Sequence, residues 1–159
     1  GWGVFNLLLA PGDFDGDGRS DIIGRLGDGR LLLYSGNGAG GFVAEQQQIG
    51  YGFQAFDALV APGDFTGDGC ADLVGRLPDG TLRVYPGNCH GALGDGYAIG
   101  NGWSAFDALL GRDFDADGCG DLIARAPNGD LWLYPSNCAG SFRAQKRIGT
   151  SFDSFLRLF

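Results

Sequence analysis

Short apolar runs alternate with glycine and aspartate along the whole chain. Runs such as FNLLLA, DIIG, LLLY, ALVA, LRVY and LWLY are rich in Leu, Val, Ile, Phe and Tyr, and no segment sustains a helical period for ten residues. The pattern predicts strands throughout, hence an all-β chain. In the middle of the sequence the strands fall near Ala55–Ala61, Ala71–Leu77, Thr81–Pro86 and Gly96–Gly100. The triplets Gly27-Asp28-Gly29, Pro78-Asp79-Gly80 and Asn128-Gly129-Asp130 predict tight hairpins, because Asp-Gly and Asn-Gly tolerate the positive φ of such turns. Strands like LWLY and DLIA are apolar on both faces. That suits a sheet covered on both sides, as when four-stranded blades stack around a common axis.

The pattern repeats. GDFDGDGRSD from Gly12, GDFTGDGCAD from Gly63 and RDFDADGCGD from Arg112 place their lead aspartates, Asp13, Asp64 and Asp113, 51 and 49 positions apart. A period near fifty marks a repeat architecture. The flanks repeat too, with WGVFNLLLAPGD, FQAFDALVAPGD and WSAFDALLGRD upstream, and each unit ends in Ile-Gly. The units run over 1–50, 51–100 and 101–149. The tail 150–159 restarts the pattern, with Phe152 and Phe155 in the places of Trp2 and Phe5. The expected fold is a β-propeller of four-stranded antiparallel blades, three blades per chain plus the first strand of a fourth.

Composition narrows the partners. No apolar run approaches the eighteen or so residues of a membrane helix. A formal charge of −8 with a single lysine argues against nucleic acid or an anionic membrane as partner. Eleven of the 19 acids lie in the three loops, and three divalent cations would cancel six of the eight negative charges.

Those loops carry the candidate chemistry. Oxygen ligands at positions 1, 3 and 5, a backbone carbonyl at 7, a carboxylate at 9 and a glycine at 6 wrap a calcium ion. The first loop supplies Asp13, Asp15, Asp17, the carbonyl of Arg19, and Asp21. The third supplies Asp113, Asp115, Asp117, the carbonyl of Cys119, and Asp121. The second has Asp64, Thr66, Asp68, the carbonyl of Cys70, and Asp72; a neutral hydroxyl at position 3 predicts the weakest site. One calcium per repeat is expected. An EF-hand would need Glu at position 12, where Gly24, Gly75 and Ala124 stand, and helices on the flanks. Magnesium seldom uses an all-protein cage of this kind. A single Asp-Gly cluster could be a solvated turn; three copies in phase, each with a final Asp, argue otherwise.

The Phe-led strand, the loop GDFDGDGRSDIIGR and the hairpin ending LYSGN resemble the FG-GAP or VCBS repeat of integrin α-subunits and many secreted bacterial proteins. The resemblance covers nearly the whole chain. It implies a calcium-binding propeller whose loops link the first and second strands of each blade. Thr66, Arg112 in place of the usual glycine, and a count of three units where such propellers close with six to eight are the departures.

Cys70 and Cys89 are 19 apart, as are Cys119 and Cys138, and unit one has Arg19 and Gly38 at both matching positions. Joint absence is what a bonded pair shows, so disulfides Cys70–Cys89 and Cys119–Cys138 are expected. A zinc site from all four would lack any Cys-x-x-Cys. Disulfides and calcium together predict an exported, extracellular protein, and the lack of a leader suggests a mature chain or an excised domain.

Catalysis finds little support. His90 is the only histidine and has no repeat counterpart, and Asp57 and Asp107 share their position with Asn6, which favours a structural turn or cap over an acid–base pair. The chain is therefore read as a binding module and not an enzyme. Trp2, Phe53, Trp103 and Phe152 recur before strand one and Trp132 lies in the last unit; such aromatics pack between blades or dock sugars. Trp2, Phe53, Trp103 and Trp132 are the candidate ligand residues of a lectin, by analogy with fungal lectins that carry similar loops. The alternative is a protein-binding, adhesion or structural module. Three blades cannot close a ring, so the expected partner is a second copy completing six blades by two-fold symmetry, or further repeats of a longer chain.

Overall fold

The computed structural model describes residues 1–43 and 45–152. It is all-β, in three four-stranded antiparallel sheets that follow the chain without crossovers. The first holds β1 (Phe5–Gly12), β2 (Asp21–Leu26), β3 (Leu31–Tyr34) and β4 (Gln47–Gly50); the second β5 (Ala58–Gly63), β6 (Asp72–Arg76), β7 (Leu82–Tyr85) and β8 (Tyr97–Gly100); the third β9 (Ala108–Arg112), β10 (Asp121–Arg125), β11 (Leu131–Tyr134) and β12 (Lys146–Gly149). Each sheet is one blade, and β5 lies beside both β1 and β9, so the first strands form the inner rim. Among the described residues the blades form an open arc.

The predicted hairpins join the second and third strands. In the first, Leu26 N–H bonds the Arg30 carbonyl at 2.9 Å, and Gly29 takes a φ of 87° that a side chain would strain. Strand one differs between units for a physical reason. In β1 and β5 the register shifts just before the loop, where Gly12 and Gly63 adopt φ of 89° and 97°. The third unit is shorter there, β9 pairs with β10 without a shift, and Arg112 replaces the glycine because its backbone needs no positive φ.

Packing between blades makes the core. Ile23, Leu31, Leu33 and Phe14 of the first blade meet Phe53, Phe56, Leu59 and Leu73 of the second. Phe65, Val74, Leu82 and Val84 of the second meet Trp103, Leu122 and Ala124 of the third, with Phe106, Tyr134 and Phe142 alongside. A short 3-10 turn opens each unit, at Trp2–Val4, Phe53–Ala55 and Trp103–Ala105. The strand expected from Ala55 thus begins at Ala58. Phe53 N–H bonds the Gly29 carbonyl of the preceding hairpin, Trp103 N–H that of Gly80, and Phe152 N–H that of Gly129, each at 3.0 Å. Phe152 therefore occupies the repeat position expected of it; Phe155 and the strand expected over 153–159 lie outside the described residues.

Among the described residues, aromatics at the two ends of the arc are more exposed than their counterparts inside it. Phe14 and Phe65 are 1% and 0% exposed, whereas their counterpart Phe114 on the last blade is 42% exposed. On the first blade Trp2 packs on Phe5, Tyr34 and Phe42 yet stays 43% exposed.

Candidate functional site

Each acidic loop is folded by its own aspartates. Asp13 Oδ1 accepts from Gly16 N–H and Oδ2 from Gly18 N–H, both at 2.8 Å, while Asp15 and Asp17 accept from the amides two residues on. The third loop repeats this with Asp113 accepting from Ala116 and Gly118. Backbone amides aimed at carboxylates curl the chain into a tight loop, while Asp15 Oδ2 accepts from Ser35 Oγ and Asp17 Oδ2 pairs with Arg19.

The position-nine aspartates have a second task. Asp21, Asp72 and Asp121 are fully buried. Asp21 Oδ2 accepts from Phe14 N–H at 2.8 Å and Oδ1 from Gly36 N–H at 2.9 Å; Asp72 does so with Phe65 and Gly87, and Asp121 with Phe114 and Ser136. Each ties its loop to the connection after the third strand. Burial pushes the Asp72 carboxyl up from the ordinary range although the amides of Gly87, Thr66 and Phe65 pull it down. The Cys119 amide, with the Arg143 guanidinium beside it, holds Asp117 below that range. Arg143 pairs with Asp115 Oδ2 at 3.0 Å and also with Asp117.

The donor sets suit a hard cation. Ligand oxygens of Asp13, Asp15 and Asp17 lie within 4.8 Å of one another, as do those of Asp113, Asp115 and Asp121. In the second loop Thr66 Oγ1 is buried with no hydrogen-bond partner among the described residues, an orphan that an ion would satisfy. The carbonyls of Arg19, Cys70 and Cys119 stand at position seven of their loops. Cys119 and Cys138 approach Asp117, but their sulfurs are bonded to each other and offer no thiolate.

Both expected disulfides form, Cys70–Cys89 and Cys119–Cys138, and each joins an acidic loop to the connection after its blade's third strand. The candidate ligand aromatics divide. Phe53 and Trp103 are only 4% and 5% exposed, sealed between blades, so neither offers a face to a sugar. Trp2 is 43% exposed at one end of the arc, and Trp132 is half-buried. His90 is exposed and accepts no role beyond its turn.

Sequence reading missed a clamp written in the recurring arginine of each second strand. Arg25 donates to the carbonyls of Phe53 and Phe56 at 3.1 and 2.9 Å, and Arg76 to those of Trp103 and Phe106 at 3.1 and 2.5 Å. Arg125 reaches the Phe152 carbonyl at 3.4 Å. Asn6, Asp57 and Asp107 steady these arginines through Nε at 2.9, 2.8 and 2.8 Å, the structural role expected of that position. The signal was the matched pair of an Asn or Asp at the start of each unit's first strand or just before it and an Arg 19 or 18 residues later.

Blade-shaped sheets tied by arginine clamps, with an aspartate loop between the first two strands of each, define a protein of the β-propeller type. Residues 13–75 match the model of the FG-GAP-like repeat, which bears out the resemblance read from the sequence. No curated protein matches the chain significantly. Among solved structures, the chain is similar to an Agrocybe aegerita lectin described as specifically recognising non-reducing terminal N-acetylglucosamine, with a TM-score of 0.66 and 22% identity. The similarity covers 92% of this chain and 38% of the lectin chain, so the chain spans well under half of that neighbour's length.

Proposed function

We propose that the chain is an extracellular, calcium-binding blade module that binds carbohydrate and performs no catalysis. Calcium, one ion per repeat, is held by Asp13, Asp15, Asp17 and Asp21 in the first loop, by Asp64, Thr66, Asp68 and Asp72 in the second, and by Asp113, Asp115, Asp117 and Asp121 in the third. Its role is structural, neutralising the crowded carboxylates so that the loops hold the connections between strands in place. Two disulfides accord with an exported protein.

The observation that carries the carbohydrate reading is a cleft of about 470 Å³ at the junction of the first two blades, lined by Gln48, Tyr51, Tyr85, Leu93 and Asp95 among others. Tyr51 is 83% exposed beside it. An open tyrosine ring offers a face to the apolar side of a sugar, and the amide and carboxylate can take its hydroxyls. The corresponding cleft before the third blade has Asn101 in the place of Tyr51, so the first cleft is the stronger site. Likeness of fold to a lectin supports the same class of ligand. A glycan array that includes terminal N-acetylglucosamine, probed in calcium, tests it. Binding lost in Tyr51→Ala with an unchanged melting curve is expected, and an array silent at high protein concentration overturns the reading.

The exposed ends favour assembly as well. Phe114 and Trp2 present the same kinds of surface that are paired twice inside the chain, which supports a second copy completing a six-bladed ring. Light scattering in calcium is expected to give twice the chain mass; a stable monomer refutes the dimer.

A further inference from the structure

The disulfides and the acidic loops form one connected series that crosses from blade to blade. Cys89 and Cys138 adopt φ of 56° and 54°. Their carbonyl oxygens face the preceding blade. A Cβ on Gly16 would lie 2.4 Å from the Cys89 oxygen, and one on Gly67 would lie 2.1 Å from the Cys138 oxygen. Gly16 and Gly67 hold the fourth position of the first and second loops, so the straps after the third strands of the second and third blades rest directly on the loops of the blades before them. Further bonds fasten these contacts. Gln47 Nε2 donates to the Gly91 carbonyl at 3.1 Å, Gly120 N–H to the Asp64 carbonyl at 2.6 Å, and Ser136 Oγ to the Phe65 carbonyl at 2.8 Å. The third loop is built differently. It has Ala116 at that position, with a φ of 60°, and no strap covers it among the described residues.

We propose that each disulfide positions the cation loop of the preceding blade as well as its own: Cys70–Cys89 tunes the first loop, and Cys119–Cys138 the second. This rests on the calcium reading above. The physical reason is the cost of holding carboxylates together. Oxygens within 4.8 Å repel, and a loop free to splay relaxes when no ion is bound. A strap anchored covalently at its far side presses on the loop without first having to be ordered, so the loop gives up less freedom when it closes on an ion. By reciprocity an ion in the first loop steadies the strap bonded to the second, so neighbouring sites strengthen each other equally in both directions.

The test uses protein carrying Asp64→Ala and Asp113→Ala, which leaves the first loop alone, and titrates calcium by isothermal calorimetry. Adding Cys70→Ser with Cys89→Ser is expected to weaken that site about tenfold, within the usual range of coupling between sites, although neither cysteine belongs to the loop. Adding Cys119→Ser with Cys138→Ser is expected to leave it unchanged. Unchanged affinity with the first pair, or equal weakening by both pairs, overturns the proposal. Failure of both this parent and the unaltered chain to bind calcium overturns the calcium reading itself, and the coupling with it. Gly16→Ala supplies a variant with both disulfides intact, since Ala116 shows that the loop accepts alanine where no strap covers it. Its Cβ displaces the strap, so it should weaken the first site similarly, and removing Cys70–Cys89 in addition should then cost little. Fully additive losses would mean that strap and disulfide act separately.

Discussion

Arg76→Ala isolates the clamp between the second and third blades. Its side chain is 12% exposed and donates to carbonyls in and just after the next blade's 3-10 turn and to Asp57, whose side chain is 43% exposed. Each hydrogen bond from a charged group contributes about 1.5–3 kcal/mol, and truncation removes both, leaving the Trp103 carbonyl only the Phe106 amide at 3.1 Å and taking the guanidinium from the Phe106 carbonyl. The bond to Asp57 adds well under 1 kcal/mol, because that carboxylate regains water. The expected loss is therefore about 3–5 kcal/mol for Arg76→Ala, in line with removal of one partner from a buried charged contact. Asp57→Ala should lose less than about 1 kcal/mol, since the carbonyl bonds survive. Urea unfolding in calcium, followed by tryptophan fluorescence, reads this well because Trp103 lies in the same interface. A lost clamp also weakens the coupling between neighbouring repeats, so the transition should broaden or split as the third blade melts first. A loss below about 1 kcal/mol for Arg76→Ala, or equal losses for the two variants, would refute the view that the arginine acts mainly through the carbonyls.

Chelation by EDTA should lower the melting temperature and added calcium should restore it, by preferential binding to the folded chain; a scanning calorimeter trace indifferent to chelator would remove the metal from the account. Asp13→Ala should reduce the calcium stoichiometry from calorimetric titration by one ion while leaving the sheets intact by circular dichroism. The hairpin aspartates Asp28 and Asp79 are held below the ordinary carboxylate range, chiefly by the amides of Arg30 and Thr81. A depressed folded-state value means that their contribution is present above the ordinary carboxylate range and fades as pH falls through the depressed one. Asp79→Asn should accordingly flatten the acid side of a melting-temperature profile, and an unaltered profile would deny the turn that role.

Much of this protein can be read along the chain because its local rules repeat. Alternating apolar runs, Asp-Gly turns and a fifty-residue period dictate antiparallel blades, since a strand pairs with its sequence neighbour and a tight turn sets the register. The cysteine pairs could be read for the same reason, as matched presence in two units and joint absence in the third. The aspartates at loop position nine carried a signal of chemistry but not of burial. Whether Asp21, Asp72 and Asp121 face an ion or the amides of another connection depends on where that connection lies.

Everything between blades belonged to the tertiary structure. A recurring arginine beside a recurring Asn or Asp became a clamp only once the next unit's 3-10 turn was placed against it. Phe53 and Trp103 could have been sugar platforms or core, and stacking of the sheets buried them. Gly16 and Gly67 read as loop glycines, and only the carbonyls of Cys89 and Cys138 explain why no Cβ fits there while Ala116 is accepted. Short-range pairing is determined by side-chain period and turn geometry, which the amino-acid order states directly. Contacts between residues tens of positions apart depend on the angle and spacing at which blades stack, and that is decided by packing of whole faces against one another.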